Sequence, residues 1–121
     1  MKEEIKSWLE QSDEEFDTAK INFNAGKFFS AAFWCQQSAE KSFKALLIVK
    51  TGKFPKIHDL TRLAKLTGCP EKILELCAKL NPAYTVSRYP DSLKKYSKEE
   101  CEEIMKYTEE ILKWIKKNLR S

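Results

Sequence analysis

Residues 28–51 constrain this chain more than any other stretch. They read FFSAAFWCQQSAEKSFKALLIVKT. At the helical period, Phe28, Ala32, Cys35, Ala39, Phe43 and Leu46 form one apolar stripe, with Phe29, Phe33 and Leu47 beside it. Ala31, Trp34, Ala45 and Val49 cover yet another side. A helix apolar around most of its circumference must be covered around most of it. The segment is predicted to run from Lys27 to Thr51, with Gly52 as its stop, and to form the centre of a bundle that also meets a second subunit. Obligate interfaces resemble cores, so Phe29, Phe33 and Trp34 are the candidate dimer-interface residues.

The remaining segments supply the cover. A first helix is predicted from about Glu4 to Asn24, where Ile5, Trp8, Leu9, Ser12, Phe16, Ala19 and Phe23 recur at three- and four-residue steps. Pro55 breaks the loop after the second helix. His58 or Asp59 then caps a short third helix through Leu60, Leu63, Ala64 and Leu66, ending at Gly68. Pro70 suits the first turn of a fourth, which carries Ile73, Leu74, Cys77 and Leu80 and stops before Pro82. Ser97 and Glu100 make a capping box at the start of a long last helix, whose stripe runs from Cys101 through Ile104, Thr108, Ile111 and Ile115 to Leu119. The fold class expected is all-α, an antiparallel up-and-down helical bundle of three long and two short helices.

Size and composition agree with that class. The 121 residues suffice for one domain spanning 1–121 and are too few for two. With 3 glycines and 4 prolines the chain lacks the turn residues of a β-rich domain. The net charge of +4 permits an anionic partner without demanding one. Lys113, Lys116, Lys117 and Arg120 contribute much of it, at the end of a helix, where cations are favoured. No run approaches the ~18 apolar residues of a membrane span, and Met1 to Glu10 carries acids rather than an apolar leader. A cytoplasmic protein without membrane contact is expected. Cys35, Cys69, Cys77 and Cys101 are scattered, far from the sole histidine, so free thiols are expected and no metal site.

Motifs that would carry catalysis or a cofactor are absent: no glycine-rich phosphate loop, no H-E-x-x-H, no G-x-S-x-G elbow. No catalytic residue and no cofactor is assigned. Three polar clusters remain. The first is Gln36, Gln37, Glu40, Lys41 and Lys44, set within the apolar helix, where Glu40 and Lys44 are an i,i+4 pair. It reads either as a solvated face with an ion pair or as a polar groove at a helix–helix or subunit interface, in which Gln37, Glu40 and Lys44 are candidate ligand-binding residues. The second is the irregular stretch from Pro82 to Tyr96. There Arg88 can hold a phosphate and Tyr84 and Tyr89 can stack on a base, with Asp91 beside them. Equally, Arg88 and Asp91 can simply tie the loop down. The third is His58-Asp59, which reads more simply as a helix cap than as a catalyst.

Taken in order, these pieces resemble a known family. Ala31 to Leu46 is similar to the central helix of HEPN domains (higher eukaryotes and prokaryotes nucleotide-binding), with the pattern at Gln37, Glu40, Lys41, Lys44 and Ala45. His58-Asp59-Leu60, the Arg-Tyr-Pro-Asp of Arg88 to Asp91, and the first helix from Ala19 to Gly26 also look like family features. The resemblance spans nearly the whole chain. It implies a helical bundle, commonly a homodimer, that binds a nucleotide or RNA and acts beside a minimal nucleotidyltransferase in a toxin–antitoxin-like pair. Some HEPN proteins are metal-independent ribonucleases that carry an arginine followed four to six residues later by a histidine. Here no histidine follows His58, so the chain departs from that pattern. The expectation is therefore a binding module, with Arg88 on phosphate. The alternatives are a divergent ribonuclease using Arg88 with His58 or Asp91, and a purely structural dimerisation or inhibitory partner.

Overall fold

The computed structural model describes residues 2–84 and 96–119. Among them are five helices and no strand: α1 (Glu3–Asn24), α2 (Phe28–Thr51), α3 (Leu60–Thr67), α4 (Glu71–Leu80) and α5 (Lys98–Asn118). This is the all-α bundle of three long and two short helices that the periodicity predicts. The middle helix α2 contacts each of the other four. Its Phe43, Leu46 and Leu47 are buried with Leu60 and Leu63 of α3, Leu80 of α4, and Ile111 and Ile115 of α5. A core Phe→Ala change in such a cluster costs about 3–5 kcal/mol.

Local chemistry sets the ends. Gly52 sits at φ 82° and its amide donates to the Ile48 carbonyl. That left-handed backbone strains any side chain with a Cβ, so α2 ends there. Ser97 caps α5 as predicted: its Oγ accepts from the Glu100 amide at 3.0 Å, while Glu100 Oε1 accepts from the Ser97 amide at 3.1 Å. At α3 the cap is Asp59, whose Oδ1 accepts from the Arg62 amide at 3.2 Å. His58 does something else, described below. Pro70 precedes α4 as its N-cap rather than sitting in its first turn. The helical spacing predicts Leu66 on the buried stripe of α3; it is exposed instead, because Leu60, Leu63, Ala64 and Thr67 already face the core.

The α1–α2 seam is joined by buried polar contacts. Ser12 and Ser38 are buried and exchange hydrogen bonds across it. Ala19 of α1 and Ala31, Ala32 and Ala39 of α2 are fully buried. At the far side Lys116 of α5 donates to Asp13 of α1 at 3.0 Å, an exposed pair that closes the bundle. No helix among the described residues is long and apolar enough to cross a membrane.

Candidate functional site

The polar ridge of α2 is not a solvated face. Gln36, Glu40 and Lys44 are buried, with Glu40 only 1% exposed. The ridge packs against neighbouring elements instead. Its side chains are spent on the loop between α2 and α3 and on α1. Glu40 Oε2 accepts from Lys44 Nζ at 2.9 Å. Glu40 Oε1 lies 3.0 Å from His58 Nδ1. Gln36 Nε2 donates to the His58 carbonyl at 3.0 Å, and Gln36 Oε1 accepts from Gln37 Nε2 at 2.7 Å. Lys41 Nζ then donates to Gln37 Oε1 at 3.3 Å and to Glu15 Oε1 of α1 at 3.4 Å.

Two arms of this network therefore converge on one loop residue. One arm holds the backbone of His58 and the other its ring. Burying an ionic pair is tolerable only when its remaining hydrogen-bonding capacity is met. Here Lys44 also lies over the rings of Trp8 and Phe54, at 5.5 and 5.3 Å from their centroids. Those rings meet edge to face at 5.0 Å and shut the charge pair off on the α1 side. Among the described residues no buried side-chain nitrogen or oxygen lacks a partner.

His58 itself remains open, with 54% of its side chain exposed. Tyr84 stacks on it at 4.8 Å, with 18° between the rings. Phe33 lies nearly parallel to Tyr84 at 6.4 Å and meets Trp34 edge to face at 5.2 Å. Asn81 explains why Tyr84 arrives there. At the end of α4, Asn81 Oδ1 accepts from the Leu60 amide at 2.9 Å and Asn81 Nδ2 donates to Asp59 Oδ1 at 3.0 Å. The start of α3 and the end of α4 are thus tied together two residues before Ala83 and three before Tyr84.

The residues singled out from sequence divide as follows. Tyr84, Glu40, Lys44 and Gln37 belong to this one network, Glu40 and Lys44 as buried supports and Tyr84 as a ring at the surface. Arg88, Tyr89 and Asp91 lie outside the described residues. Phe29, Phe33 and Trp34 are half-buried, and each has a ring partner within the chain, Phe29 being 6.3 Å from Tyr96. Sequence reasoning reads His58 as a cap and misses its contact with Glu40. The signal is present all the same: polar residues four apart on an apolar helix need partners, and the next loop is the nearest polar source.

Charge is unevenly distributed along the chain. α1 carries seven acidic residues against two lysines, although the chain as a whole is at +4. A groove of about 460 Å³ between α1 and Trp34 is lined by Glu10, Glu14 and Glu15, and so repels phosphate. A second, of about 430 Å³ between α1 and α5, mixes Asp13, Asp17 and Glu109 with Lys20, Lys113 and Lys116. The stretch following Tyr84 contains Arg88, Lys94 and Lys95 against the single acid Asp91. Among the described residues no group of three or more His, Cys, Asp or Glu side chains could hold a metal ion.

Comparison with known proteins gives a consistent family. The HEPN domain model matches residues 5–119. A protein of Methanocaldococcus jannaschii that bears the name "Putative toxin MJ1304" is 27% identical, over 95% of this chain and 88% of that one. The crystal structure of TT1696 from Thermus thermophilus superposes with a TM-score of 0.88 at 25% identity, over 97% of this chain and 99% of that one. That of ST0689, an archaeal HEPN homologue, superposes with a TM-score of 0.83 at 30% identity, over 98% and 99%.

Proposed function

The chain belongs to the HEPN domain family, and from that premise we propose that it is the toxin-type HEPN component of a two-protein system, binding a nucleotide where His58 and Tyr84 meet. The observation that carries this reading is the treatment of His58. A loop histidine is held through its carbonyl by Gln36, through its ring by buried Glu40 and across its face by Tyr84, yet its ring stays half open. Exposed groups supported by buried, fully paired ones are the usual construction of a binding site. In this reading Tyr84 and Tyr89 stack on or flank the base and Arg88 takes the phosphate. The toxin assignment leans on the M. jannaschii relative.

The protein partner in this reading is a minimal nucleotidyltransferase, the working copy is a homodimer in the cytoplasm, and the dimer packs on Phe29, Phe33 and Trp34. Their half-buried rings support that surface. A ¹⁵N-labelled titration with ATP and with a short RNA tests the binding site. Shifts confined to His58, Tyr84 and residues near Arg88 are expected; their absence, with and without the nucleotidyltransferase, defeats the reading. Sedimentation of wild type and Phe33→Ala/Trp34→Ala tests the dimer, and a wild-type monomer at micromolar concentration removes it.

The Glu40–His58 contact also supports a second reading, a ribonuclease in which His58 takes the proton from a ribose 2′-hydroxyl. RNA cleavage by wild type, His58→Ala and Arg88→Ala decides it. Equal background in all three ends the idea.

A further inference from the structure

The imidazole of His58 has two nitrogens, and the structure commits one of them. Nδ1 lies 3.0 Å from Glu40 Oε1. An ionised carboxylate only accepts hydrogen bonds, so Nδ1 carries the hydrogen. The other carboxylate oxygen is matched by the Lys44 ammonium at 2.9 Å, which itself lies over Trp8 and Phe54. Glu40 is therefore a closed, charge-balanced acceptor with its side chain 2% exposed. With Nδ1–H committed to it, the neutral ring has its lone pair on Nε2. The ring makes no other hydrogen bond among the described residues.

We infer that Glu40 sets the tautomer of His58 so that Nε2 accepts a hydrogen bond from a neutral donor on the bound nucleotide, a ribose hydroxyl or an exocyclic amine of the base. The inference rests on the nucleotide-binding reading above and assigns the contact within it. A phosphodiester offers only acceptor oxygens, so it has nothing to give that lone pair. Phosphate is left to cationic groups, and His58 reads sugar or base. Tyr84, stacked on the imidazole, fixes the plane in which the donor must approach. Glu40 is a positioning residue here, and Lys44 keeps its carboxylate available.

His58 is the only histidine in the chain, so its ring nitrogens give unambiguous ¹⁵N resonances. In the free protein the expected pattern is a protonated Nδ1 and an unprotonated Nε2. That bias is expected to weaken in Glu40→Gln/Lys44→Met, which removes both buried charges together. The binding arm compares ATP, 2′-deoxyATP, 3′-deoxyATP and ITP. One missing donor is expected to cost about tenfold in affinity, on the order of one hydrogen bond to a neutral group. Loss with a deoxy analogue identifies the sugar; loss with ITP identifies the base amine. His58→Phe keeps a ring against Tyr84 and should bind all four alike. An Nε2–H tautomer in the free protein, or equal affinity of wild type for all four, overturns the assignment while leaving nucleotide binding intact. If none of the four binds, the reading beneath it fails and takes this assignment with it.

Discussion

Ser12 and Ser38 exchange hydrogen bonds across the α1–α2 seam. The Ser12 hydroxyl donates to the Ser38 carbonyl at 2.8 Å, and the Ser38 hydroxyl donates to the Ser12 carbonyl at 2.7 Å. Both residues are buried, and only small side chains allow two helix backbones to be joined in this way. The pair fixes the register of α1 on α2, and with it the placement of Glu15 against Lys41 and of Trp8 against Lys44.

Replacing either serine should therefore cost more than one hydrogen bond. Ser38→Val removes a donor and adds bulk where the helices are close. We expect a loss of about 2–3 kcal/mol, combining the lost bond with overpacking. Ser38→Ala should lose about 1 kcal/mol, the scale of the bond alone. Urea unfolding of the two variants checks the ranking, and a Val variant no worse than Ala refutes it.

Lys44→Met leaves the buried Glu40 carboxylate without its ammonium. Breaking one partner of a buried pair typically costs about 3–5 kcal/mol, and the 8% and 2% side-chain exposures of Lys44 and Glu40 place this pair in that class. Glu40→Gln/Lys44→Met should recover most of the loss, because a neutral amide replaces the uncompensated charge. Chemical denaturation of the single and double variants measures it. Equal stability of wild type and Lys44→Met would show that the pair is solvated.

Asn81→Ala removes the acceptor for the Leu60 amide and the donor to Asp59 in one change. A loss of about 1–2 kcal/mol is expected, the scale of a helix cap and a neutral hydrogen bond. Since Asn81 also sets where Tyr84 emerges, the ring-current shift of Tyr84 on the His58 proton resonances should diminish. A destabilised variant with unchanged His58 shifts would separate the cap from the site.

The buried thiols make the fold sensitive to high pH. Burial pushes Cys35 and Cys77 up to about 12 and Cys101 to about 11. In the unfolded chain a thiol gives up its proton near its ordinary value, 9.0. Above that pH the unfolded state binds fewer protons than the folded one, so stability falls as pH rises. Each such thiol contributes about 1.4 kcal/mol of loss per pH unit between its unfolded and folded values. The contribution is fully present below pH 9. Urea midpoints from about pH 8 to 10.5 should decline, and Cys35→Ala should flatten the slope.

How far the sequence can be read varies from residue to residue. The place of α2 at the centre follows from its apolar circumference, and the Ser97–Glu100 box follows from residue types three apart. Leu66 and His58 do not follow. Leu66 fits a helical stripe as well as Leu63 does, and its exposure depends on where α4 and α2 lie. His58 sits beside a better cap, Asp59, so a local reading gives the two one shared task. The Gln36–Glu40–Lys44 ridge admits two readings, a solvated face or a polar groove at a helix–helix or subunit interface, and its burial excludes the first.

Helix positions, helix ends and the need to cover α2 were determined by the sequence alone, because they depend on periods and caps within a few residues of the chain. Which polar groups went inside was decided by the tertiary structure. Glu40 and His58 are 18 residues apart and meet only because the loop after α2 folds back on it. A buried charge survives only if distant partners arrive together, and that is a property of packing that no local pattern encodes.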